Sequence, residues 1–241
     1  MLPKIDYPII SIKVHSLGRG VTFRPFLVKE EKLLLIAKES SDVEDVRKTV
    51  IQIINNCCLD DKVDVEKLPL YDVEMIFVKL RAASVGESVQ LVFNCKNEVD
   101  GVVCGTDTDY QLDLTKVEYE IPEGLDDKIM LTDKVGIKLT APTLEQPIDF
   151  GQEEDELYAT VMSILFNHVE CVFDEESVYK PDQFTKEEFL EFIDNLSVEA
   201  LERIQTFFTN QPKVVLNDVV KCKKCGYEHN IHSEDLLGFF I

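Results

Sequence analysis

Several features that mark enzymes and membrane proteins are missing from this sequence of 241 residues. No apolar run approaches the roughly 20 residues that a membrane-spanning helix needs. The first residues, Met1 to Asp6, lack the uninterrupted apolar stretch of a signal peptide, so an intracellular protein is expected. There is no Gly-x-Ser-x-Gly motif, and Gly18-Arg19-Gly20 lacks the later glycine and the helix start of a phosphate-binding loop. None of the four histidines stands in a motif with a nucleophile, so the sequence predicts a protein that is not an enzyme.

Basic residues are scarce relative to acidic ones. The chain has 25 lysines and arginines against 46 aspartates and glutamates, for a net charge of −21. Phosphate backbones and anionic membranes repel such a surface, which argues against nucleic acid and lipid as partners. The surplus of acid either keeps the protein soluble or lets acidic faces meet basic partner subunits, and composition leaves both interpretations open.

Hydrophobic periodicity predicts an α+β fold of mixed helices and antiparallel strands. Strands are predicted at residues 9–14, 21–28, 87–94, 110–121, 135–139 and 214–220, with turn residues at 18–20. Helices are predicted at residues 29–38, 43–54, 70–83 and 157–169, and then after the capping residues Thr185 and Ser197. This layout gives four segments in one or two compact domains: an N-terminal α/β segment (1–86), a β-rich segment with a first cysteine pair (87–148), a helical segment (149–213), and a C-terminal zinc knuckle with an apolar tail (214–241).

Two pairs of cysteines carry the clearest chemical signal. In a reducing compartment, the seven cysteines are interpreted as thiols or metal ligands before disulfides. Cys222 and Cys225 have the two-residue spacing of a zinc knuckle, and a glycine follows that permits a tight turn. Cys95 and Cys104 stand eight residues apart between two predicted strands, again with a glycine after the second. The layout is that of a zinc ribbon, so the four thiolates are predicted to share one structural Zn²⁺ that joins the middle of the chain to its C-terminus.

Other interpretations of these cysteines stay open. Zinc could bind locally to Cys222, Cys225, His229 and His232, although the gap between the second cysteine and the first histidine is short for a zinc finger. A single histidine could replace one thiolate, or the thiols could be buried without a metal. The remaining cysteines are interpreted as small core residues: Cys57, Cys58 and Cys171. Four thiolates would leave zinc no open position, so the ion is expected to hold the fold rather than to catalyse.

Both ends of the chain resemble a known family. The segment from Arg24 to Ser40, RPFLVKEEKLLLIAKES, resembles the opening signature of the T4-type bacteriophage baseplate protein family, the hub component of contractile tails. The family's order continues near the C-terminus with Phe207-Phe208, Asn210, Pro212, the knuckle from Cys222 to Gly226, and Gly238-Phe239-Phe240. The pair Cys95 and Cys104 matches the family's cysteine pair before a strand, although its spacing is wide. The likeness covers most of the chain, and its two ends are more specific than its middle.

The resemblance implies a non-catalytic tail protein that binds other baseplate and tail proteins. It would assemble in the host cytoplasm and reside in the tail baseplate of the virion. Nucleic acid, membranes and small-molecule substrates are not expected among its partners. An assembly chaperone of the hub that is absent from the mature virion is one alternative. A zinc-ribbon regulator that binds nucleic acid is another, but near the ribbon only Lys221, Lys223 and Lys224 cluster.

Two apolar segments carry expectations of their own. Between Arg24 and Ser40, the sequence predicts that Leu33, Leu34 and Ile36 are at least partly buried and that Arg24 makes a structural hydrogen bond. A helix devoted to partner binding is the alternative. The C-terminal tail is expected to pack into the protein's own core or to dock onto a neighbouring subunit through Leu236, Leu237, Phe239 and Phe240.

Overall fold

A computed structural model describes residues 6–39, 43–144, 165–234 and 236 of the chain. The chain divides into two compact units. Unit 1 comprises Met1–Glu120 together with Lys213–Ile241, and unit 2 comprises Ile121–Pro212. Helices and antiparallel strands occur in both, so the predicted α+β class is confirmed. The finer division into four segments stays a prediction.

Unit 1 contains helices and short antiparallel sheets. Its helices are α1 (Val28–Glu39), α2 (Val43–Cys57) and α3 (Leu70–Val85). Its strands are β1 (Ile10–Val14), β2 (Arg19–Phe23), β3 (Ser88–Asn94), β4 (Glu98–Val99), β5 (Val102–Val103), β6 (Asp107–Asp113), β7 (Glu118–Glu120), β12 (Lys213–Lys221) and β13 (Glu228–Ser233). Three sheets have two strands each: β1 pairs with β2, β3 with β6 and β4 with β5. A further sheet has three strands in the order β13–β12–β7.

Unit 2 is inserted between two strands that are neighbours in unit 1. β7 ends at Glu120 and β12 begins at Lys213, and these two residues are partners in an antiparallel register. β12 then pairs with β13 up to the knuckle, with Lys221 opposite Glu228. β12, which leads to the second cysteine pair, therefore pairs with a strand of unit 1 on each of its two edges.

Helix α3 forms the centre of unit 1, because its sequence is apolar around most of its circumference. Its buried apolar side chains are Val73, Met75, Ile76, Phe77, Val78, Leu80 and Ala82. Part of this surface shares a core with Leu112, Leu114, Val117, Val214, Leu216 and Leu236. Leu236 of the apolar tail is fully buried there, as expected, while residues 237–241 lie outside the described residues.

The segment around α1 departs from expectation at one position. Arg24 binds the buried carboxylate of Glu30 through both guanidinium nitrogens, at 3.0 and 3.2 Å, so its structural role is confirmed. Leu33 and Leu34 are half-buried, but Ile36 is 67% exposed, and its predicted burial is wrong. Glu30 and Ala37 lie two turns apart on the buried face of α1. Ile36 is the residue before Ala37, so its side chain is rotated around the helix axis away from that face.

Two predicted strands are shorter than expected. β2 ends at Phe23, because the next residue whose main chain would face β1 is Pro25, which has no N–H to donate. The predicted strand 110–121 is broken by a 3₁₀ turn at Leu114–Lys116, where the Asp113 carboxylate accepts the Thr115 N–H at 2.9 Å. A side chain that bonds to the main chain competes with the sheet ladder, and this ends β6.

Unit 2 packs helices against a four-stranded antiparallel sheet. Its strands are β8 (Lys128–Met130), β9 (Gly136–Leu139), β10 (Val169–Phe173) and β11 (Val178–Tyr179), in the order β11–β10–β9–β8. The helices of this unit whose bounds are described are α4 (Lys186–Asp194) and α5 (Val198–Thr209), capped by Thr185 and Ser197 as predicted. The core holds Ile129, Ile137, Leu139, Leu165, Phe189, Ile193, Ile204 and Phe207 among others. Most of the helix predicted at residues 157–169 lies outside the described residues.

A glycine permits the close packing of this sheet. A Cβ atom on Gly136 would lie 2.2 Å from the ring of Phe173, its partner in the β9–β10 register. Any larger residue at position 136 would displace that ring. The strand therefore tolerates only glycine at this position without rearrangement.

Candidate metal centre

The first cysteine pair lies just beyond the β3–β6 ladder. The last register pair is Asn94 with Asp107. Immediately after it, the Cys95 N–H bonds to the Thr106 carbonyl and the Gly105 N–H bonds to the Cys95 carbonyl, both at 3.0 Å. These main-chain bonds hold the two ends of the loop together, although eight residues separate Cys95 from Cys104. The intervening β4–β5 hairpin takes up those residues.

The second pair forms the turn between β12 and β13. The Cys222 N–H bonds to the Tyr227 carbonyl at 2.9 Å, and the Gly226 N–H returns to the Cys222 carbonyl at 3.0 Å. Gly226 has a φ of 72°, a left-handed conformation that favours glycine. The predicted knuckle geometry is therefore present at Cys222 and Cys225.

The structure brings all four predicted cysteines together. The Sγ atoms of Cys95 and Cys225 are 3.7 Å apart, and those of Cys104 and Cys222 are 3.8 Å apart. All four sulfur atoms lie within 4.8 Å of one another. Each short distance joins a thiol from the β3–β6 loop to a thiol from the knuckle, so the two pairs interlock rather than lie side by side.

This spacing suits a metal ion with four sulfur ligands. A tetrahedral zinc ion with Zn–S bonds of about 2.3 Å holds its sulfur atoms about 3.8 Å apart. Disulfides require an S–S distance of about 2 Å, and the seven cysteines are free thiols. The four cysteines could therefore hold a metal ion with little change in position.

Several polar groups surround the sulfur atoms. The Lys224 N–H donates to the Cys222 Sγ at 3.4 Å, and the Asn97 amide donates to the Cys225 Sγ at 3.7 Å. Such donors favour the thiolate form that a metal requires. The sequence did not single out Asn97, whose position beside the knuckle depends on the path of the loop after Cys95.

The thiols of the cluster differ in their ease of ionisation. Main-chain N–H groups of Cys225 and Lys224 lower the pKa of the Cys222 thiol to about 6. Burial raises the pKa of the Cys95 thiol to about 12. A bound cation would favour ionisation of all four thiols, because its charge dominates the local electrostatics.

The histidines near the knuckle take different positions. The Nε2 atom of His229 lies 3.1 Å from the Sγ of Cys95, and its ring is close to those of Phe93 and Tyr227. Both ring nitrogens of His232 are engaged elsewhere, with Asn217 and Glu234. His229 thus borders the cluster, whereas His232 faces away from it.

The other cysteines lie apart from this cluster. Cys57 is fully buried at the end of α2, where burial raises the pKa of its thiol to about 11. Cys58 and Cys171 are half-buried. Within the described residues, none of the three belongs to a group of side chains that could hold a metal ion.

A carboxylate anchors the strands that carry the two pairs. Asp218 in β12 accepts the Tyr110 hydroxyl of β6 at 2.7 Å and the Lys116 ammonium at 2.8 Å. Hydrogen bonds from Lys116 and Tyr110 hold the pKa of Asp218 below its usual range. These contacts hold β6, which follows the first cysteine pair, close to β12, which leads to the second, and so help to bring the loop and the knuckle together.

The fold and the site define an α+β protein in which four cysteines, from the middle and the end of the chain, meet in one cluster. The chain matches the family described as T4 bacteriophage base plate protein over residues 7–241. It therefore belongs to this family, and it is a structural component of a phage baseplate. No curated protein and no solved structure matches it. Among the described residues, no helix has the length and apolar character needed to cross a membrane.

Proposed function

We propose that the chain is a hub or hub-proximal component of a contractile phage tail, that it binds other baseplate subunits, and that one structural zinc ion stabilises its fold. The family match over nearly the whole chain supports a location in the baseplate. The interlocked sulfur atoms, 3.7 and 3.8 Å apart across the two pairs, support the zinc.

The proposed ion has a structural task. Cys95 and Cys104 would bind it from the β3–β6 loop, and Cys222 and Cys225 from the knuckle. When bound, the zinc supplies coordination bonds whose free energy becomes folding free energy. Four thiolates fill a tetrahedral shell and leave no position for a substrate, which supports a protein that is not an enzyme.

The charge of the chain supports protein partners over nucleic acid. A net charge of −21 repels phosphate backbones, and the cationic cluster near the knuckle has only three lysines. Basic surfaces on other baseplate and tail proteins would meet this chain favourably. The proposed location is accordingly the tail baseplate of the virion, reached by assembly in the host cytoplasm.

Quantitative mass spectrometry of purified virions tests the place in the baseplate. The expected result is a fixed copy number of this chain per particle. A chain that tail formation requires but that virions lack would instead be an assembly chaperone. Retention on DNA that falls as salt rises would point to a nucleic-acid-binding regulator.

Elemental analysis of freshly prepared, never-chelated protein tests the zinc. One zinc per chain is the expected result, since the four thiols form one cluster. Protein that lacks metal but is folded would contradict the proposal. The two tests are independent, so either half of the proposal can fail alone.

A further inference from the structure

Among the residues that the structure describes, strand β1 pairs along one edge only, with β2. The Leu59 N–H bonds to the Thr22 carbonyl at 2.9 Å, so the main-chain groups of Thr22 point away from β1. Thr22 is the register partner of Ser11. Main-chain groups alternate in direction along antiparallel strands, so the N–H and C=O groups of Ser11 and Lys13 point away from β2.

Two contacts agree with this direction. The Tyr119 hydroxyl, which donates its proton to Asp72 at 2.7 Å, lies 3.4 Å from the Lys13 carbonyl, and the His15 N–H, just after β1, donates to the Asp72 carboxylate at 2.9 Å. Both acceptor and donor lie on the edge of β1 that faces away from β2. In the described part of the chain, no strand pairs with this edge, which leaves the Ser11 N–H, the Ser11 carbonyl and the Lys13 N–H for another partner.

A cavity of about 380 Å³ runs along the same edge. One face of α3 forms a wall, with Met75, Lys79 and Ala83 at four-residue spacing. The Lys79 ammonium is held by the carbonyls of a 3₁₀ turn and its flank, at 3.1 to 3.5 Å, so its charge is satisfied. The cavity therefore offers apolar surface beside unpaired main-chain groups.

We propose that an extended segment of another baseplate protein adds to β1 as a strand. Strand addition draws affinity from main-chain hydrogen bonds and specificity from pockets that take alternate side chains, and this edge supplies both. The segment would direct apolar side chains toward α3 and carry no net negative charge, because this chain has a net charge of −21. The proposal rests on the proposed function in taking the partner from the baseplate.

Pairing of β1 with β1 of a second copy does not suit the edge. If β1 paired with β1 of another copy, the side chains on the inward face would be Ile12 and Val14. These two side chains are 5% and 0% exposed, because they already fill the core of their own molecule. They cannot also fill the cavity of a neighbour, so the occupant is a different segment.

Photo-crosslinking in assembling baseplates tests this proposal. A photo-reactive amino acid is placed at position 13 of the full chain, and at position 22 on β2 as the control. Both native side chains are exposed on the same sheet. Position 13 should capture one extended, apolar segment of another baseplate protein, identified by mass spectrometry, at a yield that position 22 does not reach.

Filling the cavity provides the matched variants. Ala83 lines the cavity and is exposed, whereas Val85 is exposed on α3 but does not line it. Ala83→Phe should lower the capture at position 13 by at least about tenfold, because it displaces a buried apolar side chain of the partner. Val85→Phe should leave the yield unchanged.

The outcomes separate this proposal from the proposed function. Capture of a second copy of this chain, or equal capture with Ala83→Phe and Val85→Phe, would overturn strand addition. A chain that enters baseplates but captures nothing at position 13 would overturn strand addition alone. A chain that never enters baseplates would overturn the proposed function, on which strand addition rests.

Discussion

In unit 1 the sulfur atoms that meet belong to residues 118 and 130 positions apart, whereas unit 2 builds its core from one continuous stretch of the chain. Unit 2 relies on stacked and edge-on aromatic rings, with Phe189 in contact with Phe166, Phe184 and Phe192. Among its described residues there is one cysteine, Cys171, which is half-buried.

This difference follows from the topology of the two units. Closing a long loop costs more chain entropy than closing a short one, and unit 1 must join segments on either side of a whole inserted unit. A metal ion can supply much of the free energy for such a closure at one point. The contiguous unit can reach stability by apolar burial, so the two units should respond differently to metal removal and to core mutation.

The largest expected effect is the loss of the proposed metal site. Cys225→Ser removes one of four ligands and should lower the stability of unit 1 by at least about 4 kcal/mol, since metal binding and folding are linked. Segment-resolved hydrogen exchange should show faster exchange in β3, β6, β12 and β13, with unit 2 unchanged. Elemental analysis should find less than one zinc per chain.

Two controls belong to this experiment. Cys171→Ser, in β10 of unit 2, should leave both the zinc content and the exchange of unit 1 unaltered. A chelator should bring the original protein to the exchange pattern of Cys225→Ser and have no further effect on that variant. If Cys225→Ser and Cys171→Ser behave alike, the assignment of ligands is wrong.

The second effect should fall on unit 2. Phe189 is 2% exposed and central to the aromatic core, so Phe189→Ala should destabilise unit 2 by about 3–5 kcal/mol through lost burial and the cavity it leaves. Hydrogen exchange of α4, α5 and the β8–β11 sheet should accelerate. The zinc content should stay the same, because no ligand lies in this unit.

The exposed Val198 offers the matched control. It is 75% exposed at the start of α5, and Val198→Ala should change stability by no more than about 0.5 kcal/mol. A Phe189→Ala variant that loses zinc would show that the two units are coupled, and the comparison between them would then fail.

Sequence reasoning succeeded where the signal is local. Thr185 caps α4 as predicted, and Glu188 completes a capping box, a pattern that needs only four consecutive residues. The knuckle at Cys222 and Cys225 is local in the same sense. The first cysteine pair was harder to predict, because its spacing is wide. Its position in a loop between two predicted strands nevertheless indicated that Cys95 and Cys104 lie close together.

The features that could not be predicted from the sequence depend on contacts between residues far apart in the chain. The burial of Glu30 beside Arg24, and the resulting exposure of Ile36, could not be inferred from a helix whose apolar residues are nearly evenly spread. The contact of His229 with Cys95 joins residues 134 positions apart. The spacing in the sequence suggested His229 only as a possible zinc ligand, while the fold places it beside a cysteine of the other pair.

A third experiment concerns how the stability of unit 1 depends on the ionisation of Glu30 at acidic pH. Burial opposes ionisation of Glu30, but the Arg24 guanidinium and the Leu27 N–H outweigh it and hold the pKa of Glu30 below its usual range. A carboxyl whose folded pKa is lowered stabilises the protein above its unfolded pKa, and this contribution is lost as the pH falls through the folded value.

Glu30→Gln should therefore destabilise unit 1 at pH 7 by about 1–3 kcal/mol, because a hydrogen-bonded buried charge pair is broken. The difference in stability between the variant and the original protein should shrink as the pH falls through the lowered pKa of Glu30, as measured by urea unfolding from neutral to acidic pH. A difference that stays constant over this range would contradict the assigned ionisation of Glu30.

The smallest expected effect is the loss of one helix cap in unit 2. The Thr185 hydroxyl accepts the Glu188 N–H at 3.1 Å, and the Glu188 carboxylate accepts the Thr185 N–H at 2.7 Å. Thr185→Ala should cost about 1 kcal/mol, because a main-chain donor at the start of α4 loses its partner. Thr185→Ser keeps the hydroxyl and should be close to neutral. Urea unfolding of both variants measures the difference, and hydrogen exchange should confine it to unit 2; an equal loss in both variants would mean that the threonine methyl group, and not the cap, stabilises this helix.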